Sequence, residues 1–363
     1  ATTPPTGRMV LGNGFDAWLD TKSGRFDLSS QCYAPGFIGG DGTQNIESFT
    51  WEPWPTWIFH FADGTRVRQE IFAVKSETIT CMAWNLLDPR TDATLFVRPF
   101  LSGRDYHALH KCNPAFRFDA DVTPGRTAWQ PYPDVPGTVA LSNGRYRHEP
   151  LWYYNFLYEA ERERGLDFEE DLGAPGIFDW SLDAGEAVLI LTPQAQAERL
   201  PAQVEPAERL SRFRASERTR RQKFPSPLRA AADAYLVQRQ SHIVPAGRTI
   251  IAGYPWFADW GRDTFISLRG LCLATGRLEV ARDILVAWAG TVSEGMLPNR
   301  FPDQGGQPEY NSVDASLWFI IAVDEFLKTG AAPPAVTQAL YAAVDAILCG
   351  YSIGTRYGIR ADA

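Results

Sequence analysis

The sequence predicts two domains of different class, an antiparallel β-sandwich followed by a double layer of α-helices, and three observations carry that expectation. Short β-rich runs broken by Gly, Asn and Asp turns fill the chain up to about residue 205. A charged segment poor in apolar residues follows. From about residue 228 apolar residues recur at helical spacing, with glycines closing several segments. The 363 residues are too many for one ordinary domain and enough for two to bury cores of their own. The expected boundaries are a sandwich over 1–205, a linker helix over 206–227 and the first half of a helical barrel over 228–363.

In the first domain the clearest element is a hairpin. Trp57 to Phe61 and Thr65 to Phe72 are β-rich runs around Ala62-Asp63-Gly64, where glycine accepts the positive φ that a tight turn asks for. Glu77 to Leu87, Ala93 to Leu101, the flanks of Asn143-Gly144, and Ala187 to Leu191 continue the rhythm. Gln130 to Gly137, rich in proline, reads as a long loop within the domain. Glu208 to Lys223 reads as a solvated helix that Phe224-Pro225-Ser226-Pro227 ends.

Five helical segments are expected beyond it: Leu228 to Gln240, Asp263 to Thr275, Leu278 to Thr291, Ala315 to Thr329 and Pro334 to Cys349. Gly276, Gly330 and Gly350 suit left-handed caps after three of them. The segment from Ala315 is apolar on nearly every side until Asp324, as in a helix enclosed by others, whereas that from Leu278 carries one apolar stripe (Leu278, Ala281, Leu285, Trp288). Enclosed helices alternating with one-sided ones suit two concentric layers, an (α/α) barrel; the pattern alone fits a helical bundle or a solenoid as well.

Bulk chemistry narrows the function. A net charge of −8 argues against a phosphate-rich partner, because nucleic-acid affinity is largely basic side chains displacing counterions, so a neutral substrate is expected and no nucleic acid. The five cysteines (Cys32, Cys81, Cys112, Cys272, Cys349) are scattered, with no Cys-x-x-Cys pair and no histidine cluster, so neither structural zinc nor a disulfide framework is expected, and buried free thiols are. No cofactor or metal is expected. No apolar stretch is expected to reach the length of a membrane span and the N-terminus lacks the features of a signal peptide, so a cytoplasmic location off the membrane is expected.

Two loops concentrate aromatic, carboxylate, arginine and amide groups between apolar segments. The first runs from Ala252 to Thr264 and holds Trp256, Asp259, Trp260, Arg262 and Asp263; the second, from Gly295 through Asp303 to Asp314, holds Asn299, Arg300, Glu309 and Asn311. A pyranose presents apolar C–H faces to indole rings while its hydroxyls ask for donors and acceptors in fixed geometry. Arg262 can donate and Asp263 accept at neighbouring hydroxyls of one ring. Plainer roles are open for the same residues, since Asp263 also fits a helix N-cap and Trp256 and Trp260 fit a core. The phosphate-cradling glycine loops and Gly-x-Ser-x-Gly are absent, and His242 reads as structural. Glycoside hydrolysis needs only two carboxylates, and Asp259, Asp263, Asp314 and, behind them, Glu309 are the ones these loops offer.

The text Ala252-Gly253-Tyr254-Pro255-Trp256-Phe257, Trp260-Gly261-Arg262-Asp263-Thr264-Phe265-Ile266, Gly276-Arg277, Ala281-Arg282, Gly295-Met296-Leu297-Pro298-Asn299 and Tyr310-Asn311-Ser312-Val313-Asp314-Ala315 resembles the glycogen debranching enzymes in their amylo-α-1,6-glucosidase region. The first half resembles the N-terminal domain of the bacterial and archaeal members at Glu47-Ser48-Phe49, Pro55-Thr56-Trp57, Arg104 to Leu109 and Arg164 to Leu172. The resemblance implies a β-supersandwich followed by a partial glucoamylase-like (α/α)6 barrel, and inverting hydrolysis of the α-1,6-linked glucose at branch points of glycogen or limit dextrin. It implies that Arg262 and Asp263 grip terminal-glucose hydroxyls, with Trp256, Asp259, Trp260, Asn299, Arg300, Asn311 and Asp314 around them. Asp263 then binds rather than donates a proton. The family's general acid, in a Thr-Trp-Met-Asp segment, and its base are expected beyond Ala363, and its usual opening before Ala1, so the chain reads as a fragment inactive on its own; Asp314 is the one catalytic candidate within it. The alternatives are a non-catalytic glycan-binding module and a related barrel enzyme such as a disaccharide phosphorylase.

Overall fold

The computed structural model describes residues 4–88, 92–239, 247–301 and 307–361. Two compact units emerge: Met9–Lys223, and Phe224–Ala363 together with the residues up to Arg8.

Among the described residues the first unit is β apart from three α-helices and two short 3-10 turns. In chain order its strands are β1 (Met9–Thr21), β2 (Gly24–Asp27), β3 (Gln31–Tyr33), β4 (Phe37–Gly39), β5 (Ile46–Thr50), β6 (Thr56–His60), β7 (Arg66–Val74), β8 (Ile79–Leu86), β9 (Thr94–Asp105), β10 (Ala120–Thr123), β11 (Arg126–Trp129), β12 (Thr138–Ser142), β13 (Arg145–Leu157), β14 (Glu169–Ser181) and β15 (Ala187–Pro193). The helices are α1 (Glu159–Glu163), α2 (Gln194–Ala197) and α3 (Pro206–Gln222). Seven strands form one antiparallel sheet in the order β2-β1-β9-β14-β13-β3-β4 and eight form the other, β10-β11-β12-β15-β8-β7-β6-β5. The hairpin expected around Asp63-Gly64 is β6–β7, with Gly64 at φ +82°.

Period-two alternation places the two cores. On β8 and β15, Met82, Trp84, Ala187 and Leu189 point between the sheets, while Cys81, Ala83, Val188 and Ile190 point outward into a second cluster with Trp54, Phe72 and Leu210 of α3. Those strands are buried on both faces, which is why they read as unbroken apolar runs. The helix expected as a solvated linker over 206–227 is therefore corrected. Leu210 is wholly buried, Arg214 makes a two-pronged pair with Glu186 at 2.6 and 2.7 Å, and Glu217, 2 % exposed, accepts the Lys75 amide at 2.8 Å. Arg214 and Glu217 bind the sheet side while Glu208 and Arg212 pair in solvent, a distinction that charge patterning does not carry.

Asn143-Gly144 joins β12 to β13, which lie in different sheets, so the turn is a crossover between layers. Asn143 locks it: Oδ1 accepts from Trp180 Nε1 at 2.8 Å and the Val188 amide at 2.9 Å, and Nδ2 donates to the Glu186 carbonyl at 2.8 Å. Elsewhere Glu170, fully buried, is held by the Arg104 guanidinium, the His110 amide at 3.0 Å, Tyr158 Oη at 2.7 Å and Asn13 Nδ2 at 3.2 Å. Of the cysteines, Cys81 and Cys272 are buried, but Cys112 and Cys349 are exposed, so burial does not describe all five; none is in a disulfide.

The second unit opens with α4 (Pro227–Ala234), capped by Ser226 Oγ accepting the Arg229 amide. The helix expected from Leu228 to Gln240 stops there. Leu236–Gln238 is a strand, β16, paired antiparallel with β17 (Arg248–Ile250), a pairing no local propensity announces; Gln240 and His242 lie outside the described residues. Then come α5 (Gly261–Leu268), continued as a π-helical turn over Arg269–Leu273, α6 (Leu278–Ala289), α7 (Asp314–Lys328) and α8 (Pro334–Ile353). Alternate helices pack together, α5 on α7 and α6 on α8, as two layers require. Their shared core includes Phe265, Leu285, Trp288, Phe319, Phe326, Leu340 and Ile347.

Three details depart from expectation. Gly276 and Gly330 take φ near +70° as caps, whereas Gly350 lies inside α8, where a Cβ would meet Gly295 Cα at 2.5 Å; close backbone approach explains it. α7 is not enclosed all round, since Leu317 and Ile321, one turn apart, are 40 % and 41 % exposed. α8 is, against the sequence expectation, long and apolar enough to cross a membrane by length and composition, with mean hydropathy 1.3 and 22 % of the stretch buried; its Leu340, Ala343 and Ile347 pack in the helical core.

Candidate functional site

The hairpin β16–β17 delivers the chain into the first loop, where the Ile251 amide bonds back to the Tyr235 carbonyl at 3.0 Å and Phe257 N to Gly253 O at 2.9 Å. Asp259, expected to face substrate, is instead completely buried: Arg239 pairs with it and Thr249 Oγ1 donates to it at 3.0 Å. A carboxylate so enclosed holds the loop to the hairpin and does not reach a ligand. Trp260 is the N-cap residue of α5, so Asp263 sits in the first helical turn and is not the N-cap.

The two loops meet backbone to backbone. Gly261 N donates to Asn299 O at 2.8 Å, Trp260 and Arg300 form an isolated antiparallel bridge, and Arg300 bridges onward to Glu309. A Cβ on Gly261 would stand 2.8 Å from the Pro298 carbonyl oxygen, so only glycine permits the contact. Asn299 is 3 % exposed. Its Oδ1 accepts the Arg262 amide at 3.1 Å and its Nδ2 donates to Asn311 Oδ1 at 3.2 Å, so it braces the cluster from beneath.

Above that brace Arg262 and Asp263 are exposed side by side. Arg262 Nη1 lies 3.5 Å from Asp314 Oδ1 across the junction. Asp314 opens α7, and its carboxylate is held below the ordinary aspartate range first by the Ser312 hydroxyl, which donates at 2.6 Å, and then, against some desolvation, by the Arg262 charge. Trp260 is half-buried, with the Arg300 guanidinium 5.7 Å over its ring and Phe257 edge-on at 5.8 Å; Trp256 is half-buried too. Asn311 is exposed and donates to Glu309 Oε2 at 3.4 Å.

The expected residues thus separate. Arg262, Asp263, Arg300, Asn311, Asp314 and Trp260 share one junction, Asn299 supports it, and Asp259 is buried; Trp256 is half-buried in the first loop. Pro302 and Asp303 are outside the described residues. Arg239 and Ser312 were not singled out from sequence; only a pairing of Gln238 with Arg248 reveals the former, and an Asn-Ser-x-Asp capping pattern was available for the latter. Among the described residues no group of His, Cys, Asp and Glu is arranged to hold a metal. An open groove of about 660 Å³ along α8, lined by Gln338, Tyr341 and Asp345 among others, contains none of the residues above.

A sandwich joined in sequence to layered helices, with an aromatic, arginine and carboxylate junction at the start of alternate helices, defines a glucoamylase-like fold: a bacterial glucoamylase complexed with acarbose matches 95 % of this chain and 54 % of its own at TM-score 0.52 and 14 % identity. The helical part is thus part of an (α/α)6 barrel. Residues 1–189 match the family model described as glycogen debranching enzyme N terminal and residues 230–363 the one described as amylo-alpha-1,6-glucosidase, so the chain belongs to the glycogen debranching enzyme family. A relative, the glycogen debranching enzyme of Saccharomyces cerevisiae, is 42 % identical over 84 residues, 22 % of this chain. The chain spans about half the length of the glucoamylase, and the matched stretch covers 5 % of the yeast protein.

Proposed function

We propose that this chain supplies the terminal-glucose subsite of an inverting α-1,6-glucosidase acting on branched α-glucan such as glycogen or limit dextrin. In this reading Arg262 donates to and Asp263 accepts from adjacent hydroxyls of one non-reducing-end glucose, Trp256 and Trp260 offer faces for its C–H bonds, and Arg300, Asn311 and Asp314 meet its rim. The observation that carries it is the pair Arg262–Asp263, exposed together and braced through the Arg262 amide by buried Asn299. Family membership supports the substrate class. Asp314 suits hydroxyl binding better than proton donation, because Ser312 and Arg262 favour its charged form. The proton donor is therefore a carboxylate other than Asp314.

Two measurements test the reading. Titrating glucose into this chain, Asp263→Asn should weaken binding at least about tenfold, the scale of a lost charged hydrogen bond in a sugar site; unchanged affinity sinks the subsite. With a full-length relative of this chain acting on limit dextrin, proton NMR should find β-glucose released first, and α-glucose as the first product rules out inversion.

A further inference from the structure

We propose that Arg239 is a positioning residue that sets the spacing of the two loops, an inference resting on the glucose-subsite reading. The guanidinium is 13 % exposed and touches both loops at once. One edge pairs with Asp259, three residues before Arg262, and Thr249 shares that carboxylate. Its guanidinium carbon lies over the Phe301 ring, 4.2 Å from the centroid and two residues after Asn299, and 5.2 Å from the ring centroid of Trp288 in α6. The Trp260–Arg300 bridge and the Gly261–Asn299 hydrogen bond run between those two contacts. Arg239 is itself fixed, because its amide donates to the Gly247 carbonyl at 2.8 Å at the end of the β16–β17 hairpin.

The geometry needs arginine rather than positive charge alone. A planar guanidinium donates in its plane to a carboxylate while its face covers an aromatic ring; an ammonium neutralises Asp259 yet leaves Phe301 without its stacked partner. Arg239→Lys thus keeps the buried carboxylate compensated and releases the second loop. Because the Arg239 guanidinium is largely enclosed and engaged by Asp259 and Phe301, its influence passes through the placement of Arg262 and Asp263.

Glucose affinity, read by tryptophan fluorescence, tests this in four proteins: wild type, Arg239→Lys, Asp263→Asn and the double variant. Arg239→Lys should weaken binding about tenfold in the wild-type background and less than about twofold once Asp263 is already changed, since coupled sites are not additive. Full additivity, or undiminished binding by Arg239→Lys where Asp263→Asn weakens it, overturns the positioning role and leaves the subsite standing. Undiminished binding by Asp263→Asn overturns the subsite itself. If Arg239→Lys does not fold, Phe301→Leu removes the ring face while leaving the ion pair intact, and the same pattern of loss is expected; unchanged glucose binding there overturns the inference.

Discussion

Asp314 and Asp259 are both aspartates in the loops that sequence singled out, yet their surroundings give them opposite duties. Asp259 is enclosed by Arg239 and Thr249, whereas Asp314 is 43 % exposed and shared by Ser312 and Arg262. Residue type and spacing mark both as candidates; only burial parts them, and burial depends on a hairpin partner distant in sequence. For Asp314 the charged form is favoured in the folded state, so its contribution to stability is present above the unfolded aspartate value near 3.8 and is lost as pH falls through the lower folded value. Carbon-detected NMR titration should find this carboxylate titrating below 3.8, and Ser312→Ala should move it upward. A wild-type midpoint above 3.8 refutes the assigned cause.

At the scale of elements, the hairpin β6–β7 and helices α6, α7 and α8 were legible, because period and turn chemistry agree there. β14 was not. Its Glu169, Glu170, Asp171, Gly173, Pro175 and Gly176 are poor strand formers, but Glu170 is neutralised by Arg104, and a Cβ at Gly173 would meet the Phe116 ring at 2.5 Å, so partners from elsewhere make this composition suit a strand. The segment after Ala234 misled in the other direction, since Leu236-Val237-Gln238 continues an apolar helical pattern that β17 converts to a strand. Gly350 sets two local effects against each other. Alanine in mid-helix gains roughly 1 kcal/mol of propensity, but its Cβ would meet Gly295 Cα at 2.5 Å, and backbone cannot rotate aside as a side chain does. Overpacking costs about 1–3 kcal/mol, so Gly350→Ala should lower the thermal midpoint; a raised midpoint means that the contact relaxes freely.

On the scale of the whole molecule, each unit holds its own hydrophobic clusters. The sandwich core, the layer beneath α3 and the Phe100–Phe156 cluster all fall within Met9–Lys223, and the helical core falls within the other unit. Residues 9–223 produced alone should therefore melt cooperatively with sandwich-type circular dichroism, whereas residues 9–205 lose Leu210 and the Arg214–Glu186 pair and should melt lower. Equal midpoints for the two pieces count against α3 as part of the sandwich. The two-class architecture was visible in the change of rhythm near residue 205, but the ownership of α3 was not, because a helix whose charges bind a sheet has the same composition as one whose charges face water.

The contact between Gly261 and Asn299 carries one more implication. Main chain touches main chain there with no side chain interposed, so at that one point the loops meet at hydrogen-bond distance, 2.8 Å from amide nitrogen to carbonyl oxygen. A side chain at position 261 would wedge that point open, so the two halves of the junction stay joined there only while the position has none.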